Sequence, residues 1–444
     1  MQFTSSLKNS IKSLWAENLF LATPVWLSVF AVIFLLFYAF FMMTADAVGS
    51  YAQRGVATVG FIVWLWRGGQ LRKSGISWLL LAAILIPLIS WGLSCWHHPQ
   101  WAESSPKVHR LTNWFLCVPV AVLLGGRIKN TFLLWSVAIA GLMFAPWLSG
   151  QGLPELMDAV KGLRVNFGLH NAQHAGMLFA VSFLGLVVFA PRVFSISSFR
   201  WAARSVWLLA TSLAFSGVLI TQTRGVWLGL SGAVLLAVLL SLSGRRKREI
   251  SWKFLIISSS LSCLIILVFM NPVFSIIENR LAQEKEEISM ILQGNFKDLN
   301  NGSIGIRVKT WQEAFLWIKK RPFVGWGGNG RGIVYDNSEN LPEEIKQNFR
   351  HFHNSYIDVL VSYGMFGLSL LLAFFGWFSI RLYRLYMHHA VSYDMCIFYA
   401  SFLTLWFIAN LFESYMVYSS GSFVLSLVLG GFLTLIWKYD RATD

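Results

Sequence analysis

Three arginines, a histidine and a glutamate stand at the edges of apolar runs, where a charge is expensive to keep without a partner. Arg224 lies in Thr221-Gln222-Thr223-Arg224-Gly225, a tight turn between two apolar segments. A guanidinium there either snorkels to headgroups or serves as a partnered anion ligand, its planar fork suiting phosphate. Arg307 lies in Gly305-Ile306-Arg307-Val308-Lys309-Thr310-Trp311. On a helix it shares a face with Trp311, Ala314, Phe315 and Ile318, so it points at whatever Trp311 packs on. Arg164, in Leu163-Arg164-Val165-Asn166, reads equally as a loop charge or a ligand. His353 lies in His351-Phe352-His353-Asn354-Ser355-Tyr356, at a polar-to-apolar boundary that opens a helix burying Ile357 and Leu360. An imidazole in that position can be neutral near pH 7 and take a proton from a hydroxyl. Glu413, in Asn410-Leu411-Phe412-Glu413-Ser414-Tyr415, needs an arginine or the histidine as partner. Trp311 and Asn354 complete the candidate set, as substrate contacts.

Other patterns carry less. His170 and His174 have the i, i+4 spacing of a helical metal pair, but no third ligand lies near them in sequence, so no metal site is expected. Gly325-Trp326-Gly327-Gly328-Asn329-Gly330 matches G-x-G-x-x-G without the strand and βαβ context of a dinucleotide site. Its glycines are expected to serve a tight turn or a close approach. Cys95, Cys117, Cys263 and Cys396 sit in or beside apolar runs, lack metal spacing and read as buried thiols.

These groups need a scaffold, and the composition says which kind. The chain has 444 residues, of which 56% are hydrophobic and 13% charged, against about 45–50% and about 25% in soluble domains. That predicts an all-α polytopic integral membrane protein of about twelve spans, centred near Phe30, Val59, Ile84, Val120, Ala138, Phe183, Leu213, Leu235, Leu264, Leu370, Phe402 and Val428. The first apolar run is too long for a signal peptide and reads as a retained span. With the N-terminus inside, every inner loop is basic: Arg67 to Lys73, Arg127 and Lys129, Arg192 to Arg204, Arg245 to Lys253, Arg381 and Arg384, then Lys438 and Arg441. The positive-inside rule then puts both termini in the cytoplasm and absorbs most of the +15 net charge without nucleic acid. Three regions follow: 1–270 with nine spans, 271–353 as a long, partly helical outer loop, and 354–444 with three spans and a short tail.

The motifs T-x-T-R-G, G-x-R-x-x-x-W-x-x-A, K-x-P-F-x-G-x-G and H-x-H-N-S-Y followed by Y-G-x-x-G, in this order and topology, resemble the O-antigen ligase and polymerase superfamily, most of all the ligases. The resemblance covers roughly Arg164 to Ser420. It implies a GT-C-like bacterial inner-membrane glycosyltransferase without cofactor, working on the periplasmic face. The donor would be an undecaprenyl diphosphate-linked glycan and the acceptor lipid A-core. The family's two arginines and histidine fall on Arg224, Arg307 and His353. Arg164 matches a less regular basic position. Glu413 stands where some members have aspartate.

The chemistry fits. A diphosphate leaves as a stable anion, so the reaction needs positive charge where negative charge grows and a base for the acceptor hydroxyl. The expectation is metal-independent single displacement with inversion, with apolar flanks of the bundle holding lipid tails. An O-antigen polymerase, a protein O-oligosaccharyltransferase and a lipid or glycan transporter are the competing readings. A transporter would more often carry charges or broken helices near the midplane.

Overall fold

The computed structural model describes residues 15–20, 25–243, 289–290, 293 and 302–443. Among the described residues there are helices and turns and no strand. In chain order the main elements are α1 (Val25–Phe41), α2 (Asp46–Arg67), α3 (Gly75–His97), α4 (Cys117–Leu124), α5 (Ile128–Met143), α6 (Leu153–Val160), α7 (Ala172–Val188), α8 (Arg200–Ile220) and α9 (Arg224–Ser243). After the undescribed segment come α10 (Ser303–Lys320), α11 (Gly330–Asn337), α12 (Ser355–Met387), α13 (Tyr393–Ala409) and α14 (Ser419–Thr443).

All the expected span centres fall within these helices except Leu264, which lies outside the described residues together with Arg245 to Lys253 and Cys263. Among the described residues five helices, α3, α8, α9, α12 and α14, are long and apolar enough to cross a membrane by length and composition. The helices α1, α5, α7 and α13 are apolar but only 16 or 17 residues long, about 25 Å of helix against a hydrocarbon core of about 30 Å. α2 and α12 depart from a regular apolar span in different ways, and α3 holds Pro87 in its interior. α2 is diluted by Asp46, Arg54 and Arg67. α12 breaks at Gly364, whose φ of 57° and ψ of −152° are not helical.

Lipid tails give helices no hydrophobic reason to associate, so close packing through small residues carries the contact. Gly225, Gly229 and Gly232 form such a stripe on α9, where added Cβ atoms would meet Phe412 at 2.6 Å, the Leu405 carbonyl oxygen at 3.0 Å and Ile408 at 3.3 Å. This seam with α13 brings the first turn of α9 against Phe412. On α14, Gly430 and Gly431 admit Val120 of α4 and Trp135 of α5. α14 is almost wholly buried, from Phe423 to Trp437, and forms the axis of the bundle. Large apolar side chains on outward faces, such as Leu228, Leu235 and Leu242 of α9, remain exposed, as lipid contact requires.

The segment 302–353 builds a cap with a second core, in which Ala314, Trp317, Trp326, Tyr335 and Phe352 are buried together with Ile357 and Val361 of α12. The face of α10 is rotated from the expected one. Thr310, Ala314 and Trp317 are buried, while Phe315 is 49% exposed. The reason is Trp317, which packs its ring at 4.9 Å from Trp326 and 5.3 Å from Trp101 and outweighs a phenylalanine. The glycine-rich segment is not a nucleotide loop. Trp326 N donates to Val361 O at 2.9 Å and Gly327 N to Ser362 O at 2.8 Å. Those carbonyls would have no helical partner at the Gly364 break, and the cap supplies it. Close approach requires glycine at 325, where a Cβ would lie 2.5 Å from the Ser362 backbone.

Candidate functional site

The re-entry turn before α12 is held from several sides. Asn354 is the N-cap, its side-chain oxygen accepting from Tyr356 N at 3.0 Å and Ile357 N at 3.2 Å. Its oxygen is therefore committed to the helix, and only the amide nitrogen is left to meet a substrate. Phe352 N donates to Asp358 Oδ1 at 3.3 Å, Trp311 Nε1 donates to Phe352 O at 2.7 Å, and Tyr335 OH donates to His351 O at 2.7 Å. Trp311 thus anchors the turn to the cap. Under these restraints His353 adopts a φ of 50°, a left-handed conformation that is uncommon outside glycine.

That backbone turns two imidazoles onto one carboxylate. Glu413 is 1% exposed. Its Oε1 lies 3.1 Å from His351 Nε2 and its Oε2 lies 3.2 Å from His353 Nδ1. Tyr418 OH meets His351 Nδ1 at 3.0 Å. His351 Nε2 and His353 Nδ1 also lie 3.1 Å from each other, so the two imidazoles and the carboxylate form one hydrogen-bonded cluster. In the tautomer in which His353 donates through Nδ1 to Glu413, its lone pair is on Nε2. Burial pushes the Glu413 carboxyl up, but hydrogen bonds from His351 and His353 and their charges overcome it and hold it well below the usual 4.5. Burial, with Glu413 and Asp358 nearby, lifts Tyr418 to about 12 against the pull of Arg331 and Arg110, so it remains a donor.

The arginines come to the same place from other elements. Arg307 Nη2 donates to Phe412 O at 3.3 Å, one residue from Glu413. Arg224 opens α9, and the adjacent Gly225 packs on the Phe412 side chain. Its turn is fixed by Thr223 Oγ1, which donates to Ala172 O at 3.1 Å, and by Gln222 Nε2, which donates to Gly162 O at 2.8 Å. Arg164 Nε donates to Thr221 O at 3.0 Å, bracing that turn. Burial and the charge of Glu413 raise Tyr415 well above its ordinary value, opposed by Arg164 and Arg307, which therefore both act on the same phenol. Arg307, Arg164, His353 and Glu413 thus gather around the segment from Phe412 to Tyr418, and the turn that carries Arg224 abuts Phe412.

Two partners were not singled out from sequence. His351 lies two residues before His353, a spacing that puts both side chains on one face of an extended segment, so the H-x-H pattern itself carried a signal for the pair. Tyr418 carried no local signal. His170 and His174 do not pair as ligands. Their rings meet edge to face at 4.7 Å, and His174 Nδ1 is hydrogen-bonded to Ser420 Oγ. The metal-capable group among the described residues is instead His351, His353 and Glu413, whose ligand atoms lie within 4.8 Å of one another. Tetrahedral Zn²⁺ with bonds of about 2.0–2.1 Å needs ligand atoms about 3.3 Å apart, close to the spacing these groups already have.

Residues 209–372 match the O-antigen ligase family. The matched segment runs from α8 into α12 and contains Arg224, Arg307 and His353; Arg164 and Glu413 lie outside it. An uncharacterized protein of Haemophilus influenzae is 30% identical over 170 residues, which is 37% of this chain and 40% of that protein. The alignment therefore spans well under two thirds of that relative's length.

Proposed function

We propose that the protein is an inverting, metal-independent glycosyltransferase that moves a glycan from undecaprenyl diphosphate to lipid A-core at the periplasmic side of the bacterial inner membrane. The observation that carries this reading is the meeting of the α9 turn, α10 and the His351–His353 turn at Phe412 and Glu413. His353 Nε2 takes the proton of the acceptor hydroxyl. The acceptor oxygen bonds to the anomeric carbon as the carbon–oxygen bond to the diphosphate breaks, and the electron pair leaves with the diphosphate. Arg224 and Arg307 stabilise the negative charge that grows there, with Arg164 bracing the turn or adding a further contact. Glu413 acts through His353, fixing its tautomer and stabilising the imidazolium, in the manner of a buried triad carboxylate. A diphosphate is already a good leaving group, so the step calls for no Lewis acid.

The full topology of about twelve spans in a GT-C-like arrangement, with both termini cytoplasmic, belongs to the same proposal, as do the boundaries at 270 and 353. The test is reconstitution of the full chain in liposomes with polyprenyl diphosphate-linked glycan and two acceptors offered separately. Extension of lipid A-core supports the reading. Extension of a second lipid-linked repeat alone makes the protein a polymerase, and glycan passage without new bonds makes it a transporter.

A further inference from the structure

The end of the bundle opposite His353 contains a polar cavity. α12 and α14 both start at the candidate site and end at this cavity, which has a volume of about 450 Å³. α14 alone is 25 residues long, or about 37 Å at 1.5 Å per residue, so a membrane thickness separates the two. Lys73, Arg381, Arg384 and Arg441 line the cavity, with Asp440 as its carboxylate and His388 at its edge. Asp440 is spent on Arg381, with which it forms an ion pair. Arg441 Nη1 donates to Leu19 O at 2.8 Å, which fixes that cation at the wall. The cavity therefore carries excess positive charge from three chain segments that converge only in the fold.

Its depth identifies the occupant. Trp437 is 1% exposed, Trp377 lies against Gly75, and Tyr439 faces His388 with ring centroids 5.7 Å apart. All three aromatic residues line the cavity. Tyr439 stands where α14 turns from apolar to basic, beside Lys438 and Arg441, a place that suits the membrane–water interface. In the proposed topology the basic ends of α12 and α14 place this cavity at the level of lipid phosphate, with an aromatic floor of Trp377, Trp437 and Tyr439. Basic pockets between helices on this side of a membrane suit anionic headgroups.

We infer that the cavity is a binding site for the phosphodiester headgroup of an anionic phospholipid, with Lys73 and Arg384 as its exposed clamps and Arg381 and Arg441 as its fixed cations. The site is independent of the transfer reaction. The test is thermal unfolding of the full chain in neutral detergent, titrated with phosphatidylglycerol, phosphatidylcholine or inorganic phosphate. Phosphatidylglycerol should stabilise at low concentration and less so in salt, while the other two have little effect. The variant Lys73→Gln/Arg384→Gln should shift the phosphatidylglycerol midpoint about thirtyfold, as expected for two cations at the membrane surface. The equal-charge control Lys129→Gln/Arg200→Gln on other basic segments should not. Equal stabilisation by phosphatidylcholine, equal stabilisation by inorganic phosphate, or identical shifts in the two variants would each overturn the assignment.

Discussion

Replacing Glu413 with glutamine tests whether His353 is a positioned base or merely a buried histidine. The substitution keeps the shape, but an amide offers one acceptor and one donor where the carboxylate offers two acceptors. One of the two imidazoles, at 3.1 and 3.2 Å, must lose its acceptor. His353 is then free to carry its proton on Nε2, where it cannot accept one from a hydroxyl, and its imidazolium loses the adjacent negative charge. General base catalysis contributes about 10²–10⁴-fold, so kcat should fall by that range with KM little changed. Glu413→Asp withdraws the carboxylate by one methylene and should fall between wild type and glutamine. Combining Glu413→Gln with His353→Ala should cost no more than His353→Ala alone, because the two act as a unit. The assay is single-turnover transfer of labelled glycan to lipid A-core in proteoliposomes, with circular dichroism and protease resistance to confirm folding. A Glu413→Gln variant within threefold of wild type beside an inactive His353→Ala would refute the positioning argument.

The charge of Glu413 has its own signature. Its carboxyl is held below the usual 4.5 in the folded chain, so its contribution to stability is fully present above that value and is lost as pH falls through the lower folded one. Unfolding at pH 7 and pH 5 should therefore show the same Glu413 contribution, with loss confined to pH below about 4.3; a Glu413→Gln effect that vanishes by pH 6 would count against this. Arg307→Lys keeps a cation but loses the fork, and transfer should drop by about 10²-fold, measured with saturating donor; normal turnover would remove Arg307 from the anionic centre. Micromolar Zn²⁺ should inhibit transfer by capturing His351, His353 and Glu413, with EDTA restoring the rate and EDTA alone leaving it unchanged; loss of activity with EDTA alone would sink the metal-free step. Gly225→Val should lower both activity and thermal stability, since its Cβ would sit 2.6 Å from Phe412; an unaffected variant would show that the α9–α13 seam does not position Arg224.

Apolar periodicity made the helices legible, because a residue facing lipid and a residue facing a helix are both apolar and together mark the run. It made the spans less legible, since Tyr393–Ala409 and Ala172–Val188 are apolar enough but short. The candidate arginines and His353 stood out because charge at the rim of an apolar run is costly. Glu413 was legible for the same reason, and its partner was among those expected. His351 was not singled out, although its i, i+2 spacing from His353 places the two side chains on one face of an extended segment. The face of α10 was misjudged at Phe315 because the helix is oriented by tryptophans at 101 and 326, distant in sequence.

The break in α12 at Gly364 is stitched to the cap by Trp326 and Gly327, and again by Met365 N to Pro322 O at 2.8 Å and Phe366 N to Phe323 O at 3.1 Å. Lifting this part of the cap would strand amide and carbonyl groups at a depth where water is scarce. The cap is therefore a riveted roof and not a door.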